Sequence, residues 1–351
     1  MTLTPNSTAM DFTSTEYYYS DDDNYSLWNT SNSTDVGDYM DSGWCEAAEQ
    51  EFTIKLFQSC VFCLIFPLGV IGNCLVIATF ALYRRLRLHS MTNIFLFHLA
   101  LADLLLLLTL PLQATETHLG WIFPLSLCKV MRACYAINTY SGLLLLACIS
   151  VDRYLVVARA QQMLGLRSQI LTGGKLAAVG VWLVAIFLSF PEILFSGVSG
   201  SGVDAYCGMQ ISGAVKMVTN VAIIAVFCVS FFVMVMCYSL IARVLCEGKV
   251  HQHGKLRHRQ HTLKLMVVLV LVFVFFQLPY TVVLSRKMAG QFCGLLLEYI
   301  TCTLAYTRCC INPILYALVG VRFRNDVLRL IYDAGCSCGL YRGPQSVSSS
   351  S

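Results

Sequence analysis

The stretch MVVLVLVFVFF, residues 266–276, consists entirely of apolar side chains, and LADLLLLLTL at 101–110 is almost as apolar. A helix through either stretch is apolar on all its faces, and neither shows the two-residue alternation of a barrel strand. Windows of about 19 residues predict seven stretches that can cross ~30 Å of hydrocarbon as helices. They cover 53–82, 91–117, 125–157, 174–195, 212–244, 263–286 and 292–319. Because only helices or closed barrels satisfy their backbone inside lipid, we predict an all-α membrane protein with a seven-transmembrane helix bundle.

The composition of the whole chain agrees with this prediction. The chain has 351 residues, of which 57% are hydrophobic and 13% charged, and its mean hydropathy is +0.66. A soluble domain has about a quarter of its residues charged, whereas a disordered chain has low hydrophobicity. The composition therefore excludes both a single soluble domain and a disordered protein.

Charge is distributed unevenly along the chain. Residues 1–51 hold eleven acids and no Lys or Arg, whereas the remainder holds 24 bases and nine acids. The bases gather between and after alternate spans, at 84–87, 159–167, 249–259 and 322–329. The positive-inside rule then predicts a multi-pass plasma-membrane protein with an extracellular N-terminus. This topological role explains the excess of basic residues after residue 51, so nucleic-acid binding is not needed to account for it. Residues 1–15 lack a signal-peptide pattern, so the first span is expected to act as the insertion signal.

The terminal segments carry modification signals. Residues 1–51 are expected to form an extracellular, acidic and glycosylated segment, with sequons at Asn6, Asn24, Asn29 and Asn32. The bundle is assigned to 52–320, and a short amphipathic eighth helix on the cytoplasmic leaflet to 321–334. The cytoplasmic tail, 335–351, begins with two candidates for palmitoylation, Cys336 and Cys338.

Polar residues inside the spans are functional candidates by default. Asp103 lies in the middle of the second span, Asn73 in the first, and Asn312-Pro313 in the seventh. An isolated Asp in a leucine run must face the bundle interior, where its partner could be Asn73, Asn312, a water or a cation. The residues alone leave a structural water network and an ion site equally open.

The third span joins two further signals. Arg153 follows Cys128 by 25 residues, which is about 38 Å in a helix at 1.5 Å per residue. Cys128 is therefore expected at the outer edge of the membrane and Asp152-Arg153-Tyr154 at the inner edge. An arginine at a helix C-terminus has a simple electrostatic explanation, but that does not account for the flanking Asp and Tyr.

These residues together resemble the rhodopsin-like G-protein-coupled receptors. The resemblance rests on the order of motifs: GN in the first span, LALAD in the second, Cys and DRY in the third, Trp182 in the fourth, Pro279 in the sixth, and NPILY (312–316) in the seventh. Within that class the chain is similar to chemokine receptors, through Thr109-Leu110-Pro111, DRYLVVARA (152–160) and the acidic, tyrosine-rich head. The chain is accordingly expected to be a receptor rather than an enzyme, without cofactor or metal.

The resemblance implies a function and its partners. The receptor would bind a C-C chemokine and activate a Gi-type heterotrimeric G protein, which drives chemotaxis and calcium signalling. Arrestin, a receptor kinase and membrane lipids are the further expected partners. Two disulfides are implied, Cys128–Cys207 and Cys45–Cys293, and the residues implied for coupling and switching are Asp152, Arg153, Tyr154, Tyr238, Asn312, Pro313 and Tyr316.

Chemokines are basic, so an acidic head would speed their encounter with the receptor. The head tyrosines flanked by acids, Tyr17, Tyr18, Tyr19 and Tyr25, are candidates for sulfation; a solvated spacer is the simpler alternative. The resemblance places the following ligand-binding residues at or below the outer mouth: Glu116, Trp121, Tyr135, Asp204, Gln277, Tyr280 and Glu298. Glu116 and Glu298 are the predicted partners of the ligand amine, although glutamates at the water interface need no ligand.

The central polar network is expected to comprise Asn73, Asp103, Asn138 and Arg308. Arg308 precedes Asn312 by one helical turn and so shares its face. Many relatives hold a sodium ion beside the equivalent of Asp103. We predict that Arg308 pairs with Asp103 and makes the receptor insensitive to sodium; the alternative is an arginine bonded elsewhere. Gly142, where relatives often have a serine, favours the pairing.

Four departures from the family pattern leave another function open. Ser230 replaces the proline of the fifth span, Gln277 the tryptophan of the sixth, Cys302 a ligand-binding glutamate, and Arg308 a common histidine. A non-signalling scavenger receptor is therefore one alternative. A small-solute transporter is another, but the sequence shows none of the internal repeats usual in that class.

Overall fold

The computed structural model describes residues 51–82, 91–158, 167–210, 213–247, 253–289, 294–319 and 321–333. Its helices are α1 (Glu51–Leu82), α2 (Met91–Leu107), α3 (Leu110–Leu119), α4 (Leu125–Ala158), α5 (Arg167–Phe195), α6 (Ala214–Glu247), α7 (His253–Met288), α8 (Leu295–Val319) and α9 (Val321–Asp333). The predicted spans correspond in order to α1, the α2–α3 pair, and α4 to α8.

The long helices form a closed ring around a central helix. α4 packs against α2, α5 and α6, while α8 closes the ring by packing against both α1 and α7. Among the described residues, six segments are long and apolar enough to cross a membrane by length and composition. The seventh predicted span is α8, a helix of 25 residues that completes the bundle.

The second span is broken, where a single helix over 91–117 was predicted. Pro111 has no N–H to donate to the carbonyl of Leu107, and its ring crowds that carbonyl. The helix tightens there: the Thr109 N–H bonds the Leu106 carbonyl at 3.0 Å, and the Thr109 hydroxyl donates to the same oxygen at 2.7 Å. The span therefore divides into α2 and α3.

Two helices extend beyond their predicted spans. α5 begins at Arg167 rather than at 174, and α7 begins at His253 rather than at 263. The hydrophobic window locates only the part of a helix inside lipid, and these polar turns lie outside that part. Helix α9 forms where the amphipathic pattern predicts it.

Side chains are distributed as lipid requires. The buried core of the inner half joins α1, α2, α4 and α7 through residues such as Val76, Leu99, Leu143 and Phe273. Large apolar side chains also cover the outside of the bundle, and Phe187 for example is 76% exposed. An apolar exterior around an apolar core is stable in a bilayer, where the solvent itself is hydrocarbon.

A short β-hairpin follows α5 and was not predicted from the sequence. Strands β1 (Ser196–Ser199) and β2 (Tyr206–Met209) are antiparallel, with Val198 opposite Cys207. A single 3-10 turn, Gly202–Asp204, lies between them. Four-residue strands carry almost no periodic signal, and this pair depends on its attachment to the bundle.

Candidate functional site

A cavity of about 450 Å³ opens at the end of the bundle that carries the hairpin. Of the residues predicted to contact a ligand, Glu116, Tyr135 and Asp204 line it. Charged and reactive side chains that the prediction omitted also line it: Lys55, Arg132 and Cys302. The cavity therefore presents charges of both signs to whatever enters.

The hairpin forms one wall of this cavity and is fixed to the bundle by three connections. A disulfide joins Cys128 of α4 to Cys207 of β2, the pairing that the resemblance implies. The backbone N–H of Cys207 donates to the Glu116 carboxylate at 2.5 Å, and the N–H of Trp121 donates to the Ala205 carbonyl at 2.6 Å. The glutamate predicted as a ligand anchor therefore also supports the cavity wall.

Gly120 permits the close approach between the end of α3 and the hairpin turn. Its φ is 72°, and a Cβ there would lie 2.5 Å from the Gly202 carbonyl oxygen. Any other residue would be strained by this backbone conformation and blocked by the neighbouring backbone.

An ion pair and an aromatic cluster lie next to the cavity and share Arg132 and Tyr135 with its lining. Arg132 of α4 binds the Glu192 carboxylate of α5 through Nε at 3.0 Å and Nη2 at 2.8 Å. Its guanidinium carbon lies 5.6 Å from the centre of the Tyr135 ring, within cation–π range. Tyr135 also donates its hydroxyl to that of Tyr280 at 3.1 Å. The sequence prediction missed the ion pair, although two ionisable residues inside apolar spans were a usable signal.

Four other predicted ligand residues, Trp121, Gln277, Tyr280 and Glu298, lie outside the cavity lining. Glu298 is bound by Lys287, with Nζ–Oε distances of 2.8 and 2.6 Å. Trp121 is buried against the Cys128–Cys207 disulfide, and Gln277 is 5% exposed within the bundle. Glu298 is thus already neutralised, unlike the free carboxylate that the resemblance suggested.

The centre of the bundle holds a polar network between α2, α4 and α8. The two carboxylate oxygens of Asp103 accept hydrogen bonds from the amides of Asn138 at 3.0 Å and Asn312 at 2.8 Å. Asn73 instead donates to the carbonyls of Gly69 and Cys309, both at 2.9 Å, and so ties α1 to α8. Of the two asparagines that the sequence offered as partners, Asn312 bonds Asp103 and Asn73 bonds elsewhere, and Asn138 is a further donor.

The predicted direct pairing of Arg308 with Asp103 is wrong. Arg308 donates from Nη2 to the side-chain oxygen of Asn138 at 3.1 Å, and no ion pair joins it to Asp103 among the described residues. The amide of Asn138, which belongs to α4, bridges the two charged side chains, while Asn312 of α8 bonds Asp103 directly.

The end of the bundle opposite the hairpin carries a third group of predicted residues. Arg153 donates to the Asp152 carboxylate at 2.8 Å, and the Thr92 hydroxyl of α2 donates to the same carboxylate oxygen. The sequence predicted the first contact and missed the second. Tyr238 of α6 packs against the inner core, while Tyr154 remains half-buried. Asp152 and Arg153 are therefore held together at the end of the bundle opposite the hairpin.

The NPILY segment packs closely on the first helix. Pro313 lies so near α1 that a Cβ on Gly72 would be 2.9 Å from its side chain. Backbone only is described for Tyr316. Within the part of the chain that the structure describes, no group of three His, Cys, Asp or Glu residues could hold a metal ion.

Several predicted sites lie outside the described residues. These are the sequons at Asn6, Asn24, Asn29 and Asn32, the tyrosines Tyr17, Tyr18, Tyr19 and Tyr25, the proposed Cys45–Cys293 disulfide, and the lipidation candidates Cys336 and Cys338. They stay predictions from the sequence.

Comparison with known proteins places the chain in a family. Residues 72–316 match the 7 transmembrane receptor (rhodopsin family). The chain is 36% identical over 295 residues to C-C chemokine receptor type 7 of Mus musculus, covering 80% of this chain and 76% of the relative. It is 33% identical over 313 residues to C-C chemokine receptor type 6 of the same species, covering 84% and 83%. The human type 7 receptor is 35% identical over 304 residues. The chain therefore belongs to the rhodopsin family of seven-transmembrane receptors and, within it, to the chemokine receptors.

Proposed function

We propose that this receptor binds a C-C chemokine at its outer face and activates a Gi-type heterotrimeric G protein, which drives chemotaxis and calcium signalling. The observation that carries the signalling part is the contact of Asp152 with both Arg153 and Thr92. An activation switch needs an inactive state, in which Arg153 is bound, and an active state, in which it is released. The contacts of Asp152 supply the inactive state. The outer cavity, with Glu116, Asp204 and Arg132, supports entry of a charged peptide end.

From the segments LACISVDRYLVVARA, QLPY and YTRCCINPILYALVGVRFR we further infer a resemblance to C-C chemokine receptor type 10. We infer a ligand preference like that of this receptor type. In the remainder of the proposed cycle, the serine-rich tail is phosphorylated by a receptor kinase and binds arrestin. The acidic head captures the chemokine before its tip reaches the cavity.

The test is G-protein activation in cells that express this chain, challenged with a panel of C-C chemokines that includes the ligands of types 6, 7 and 10. We expect a calcium and migration response to one or two of them, abolished by pertussis toxin. Chemokine uptake without any G-protein response would contradict signalling and indicate a scavenger receptor.

The scavenger alternative has a specific structural observation in its favour. Ser230 stands where relatives have the proline of the fifth span, and α6 runs without a proline over 34 residues. The Ser230 side chain is buried, and its hydroxyl has no partner among the described residues. Ser230→Pro would be expected to increase the G-protein response if the intact helix restrains activation.

Asp152→Asn is expected to raise ligand-independent G-protein activation severalfold. The substitution removes the negative charge that holds Arg153 and so favours the released state. Thr92→Val removes only a hydroxyl donor to that carboxylate, and a smaller rise is expected. Nucleotide exchange in membranes with matched receptor amounts measures both variants. Unchanged exchange in both would mean that the Asp152–Arg153 contact does not restrain activity.

A further inference from the structure

Arg308 is a charged side chain buried inside the bundle with few hydrogen bonds. It is 4% exposed, and its single described hydrogen bond joins Nη2 to Asn138. Its Nε and Nη1 atoms have no partner among the described residues. A buried guanidinium is unfavourable unless an opposite charge compensates it. The nearby network must therefore supply that charge.

Asp103 is the compensating charge. It is fully buried and lies one amide away from Arg308. Asn138 accepts from Arg308 through its oxygen and donates to Asp103 through its nitrogen. Hydrogen bonds in such a chain polarise one another, so the amide transmits part of the attraction between the two charges. Together, Arg308 and Asp103 give the centre of the bundle no net charge.

Gly142 provides the space in which the guanidinium lies. A Cβ on Gly142 of α4 would lie 2.8 Å from Nη1, 3.0 Å from Nη2 and 3.3 Å from the guanidinium carbon of Arg308. The distance to Nη1 is too short for a non-bonded contact and the distance to Nη2 is tight, so any larger residue at 142 requires the guanidinium to move. The glycine and the arginine thus form one structural unit shared by α4 and α8.

We propose that Arg308, held against Gly142 and linked to Asp103 through Asn138, is a resident cation that takes the place of a bound sodium ion. A free cation approaching Asp103 would meet a guanidinium whose charge already offsets that of the carboxylate. The Asp103 oxygens are also occupied by two amide donors. This mechanism differs from direct pairing because it requires Asn138 as the bridge and Gly142 as the open space.

The test is thermal unfolding of the purified receptor in sodium chloride and in choline chloride at equal ionic strength. Choline is too large for a site between helices, and the anion is the same in both salts. An ion that binds only the folded state raises the unfolding midpoint. We expect equal midpoints for the wild type in the two salts. A higher midpoint in sodium would overturn the proposal. The measurement uses neither ligand nor G protein, so its outcome is independent of the proposed function.

Two substitutions separate the charge of Arg308 from its bulk. Arg308→Gln removes the charge, and its midpoint is expected to be about 2–4 °C higher in sodium than in choline. Arg308→Lys keeps the charge and should remain insensitive to sodium. If folded Arg308→Gln is equally stable in both salts, Asp103 does not attract sodium and the proposal fails.

Gly142→Ala provides a second test that leaves Arg308 in the chain. The new Cβ displaces the guanidinium, so sodium sensitivity is expected to appear, with a smaller rise than in Arg308→Gln. In the Arg308→Gln background, Gly142→Ala should lower the midpoint less than in the wild type, since the clash has been removed. Equal losses in the two backgrounds, or no sodium effect in Gly142→Ala, would contradict the proposed unit of Gly142 and Arg308.

Discussion

Cys128→Ala will lower the stability of the folded receptor by about 4–5 kcal/mol and remove most chemokine binding at the cell surface. The Cys128–Cys207 bridge spans 79 residues, and the chain-entropy relation gives this magnitude for a loop of that length. The same bridge fixes β2, whose Cys207 N–H binds the Glu116 carboxylate in the cavity wall. Thermal unfolding of purified protein and binding of a labelled chemokine to intact cells measure the two effects.

The matched control is Cys134→Ala. Cys134 is a free, half-buried cysteine on the same helix as Cys128, so its substitution removes a sulfur without removing a bridge. We expect Cys134→Ala to lower the free energy of unfolding by less than about 1.5 kcal/mol. Similar losses in the two variants would mean that packing at α4, rather than the disulfide, stabilises the outer end.

The sequence predicted the helices because lipid leaves the backbone few alternatives. Each apolar stretch had to form a helix, and all seven predicted stretches lie within α1 to α8 apart from their ends and the break before Pro111. The predicted first residues of α5 and α7, 174 and 263, lie after the observed ones, Arg167 and His253. Their first turns are polar and leave no trace in a hydropathy window.

The sites were less predictable because their contacts join distant parts of the chain. Arg132 and Glu192 are 60 residues apart, and only the packing of α4 against α5 brings them together. The same reason explains why the sequence did not predict the partner of Glu298. The resemblance placed Glu298, in the first turn of α8, at the cavity, whereas its bond to Lys287 depends on how α7 ends.

The central network shows how much a single bridging residue changes an interpretation. One-turn spacing correctly placed Arg308 on the face of Asn312, and the Leu-rich run around Asp103 correctly predicted that Asp103 is buried. The sequence could not show that Asn138 of α4 lies between them. Helix periodicity identifies the face on which a residue lies, but a side chain from a third helix can determine its partner.

The buried ion pair of the cavity gives the second large effect. Glu192→Gln leaves the Arg132 guanidinium without its counter-charge in a partly desolvated position. Removing one partner of a buried pair typically costs 3–5 kcal/mol. The Glu192 side chain is 6% exposed, while that of Arg132 retains 28% exposure. We therefore expect a loss of about 3 kcal/mol, the lower end of that range, measured by thermal unfolding without ligand.

The double variant Arg132→Met, Glu192→Leu separates stability from recognition. It removes both charges and retains apolar volume, and such replacements are often neutral for stability. We expect most of the stability lost in Glu192→Gln to return. The chemokine response should nevertheless stay weak, because the cavity has lost its positive charge beside Tyr135. Full signalling by the stable double variant would show that Arg132 does not contribute to recognition.

The Lys287–Glu298 pair provides the control for burial. Both partners lie in solvent reach, with side chains 42% and 29% exposed, although their Nζ–Oε2 distance of 2.6 Å is shorter than the 2.8 Å between Arg132 and Glu192. Exposed pairs typically contribute only about 0–1 kcal/mol, because water screens the charges and two long side chains lose freedom. Glu298→Gln should therefore change the unfolding midpoint far less than Glu192→Gln. If the shorter but exposed pair proved equally important, distance rather than desolvation would govern the strength of both pairs, and the argument for the Arg132–Glu192 pair would fail.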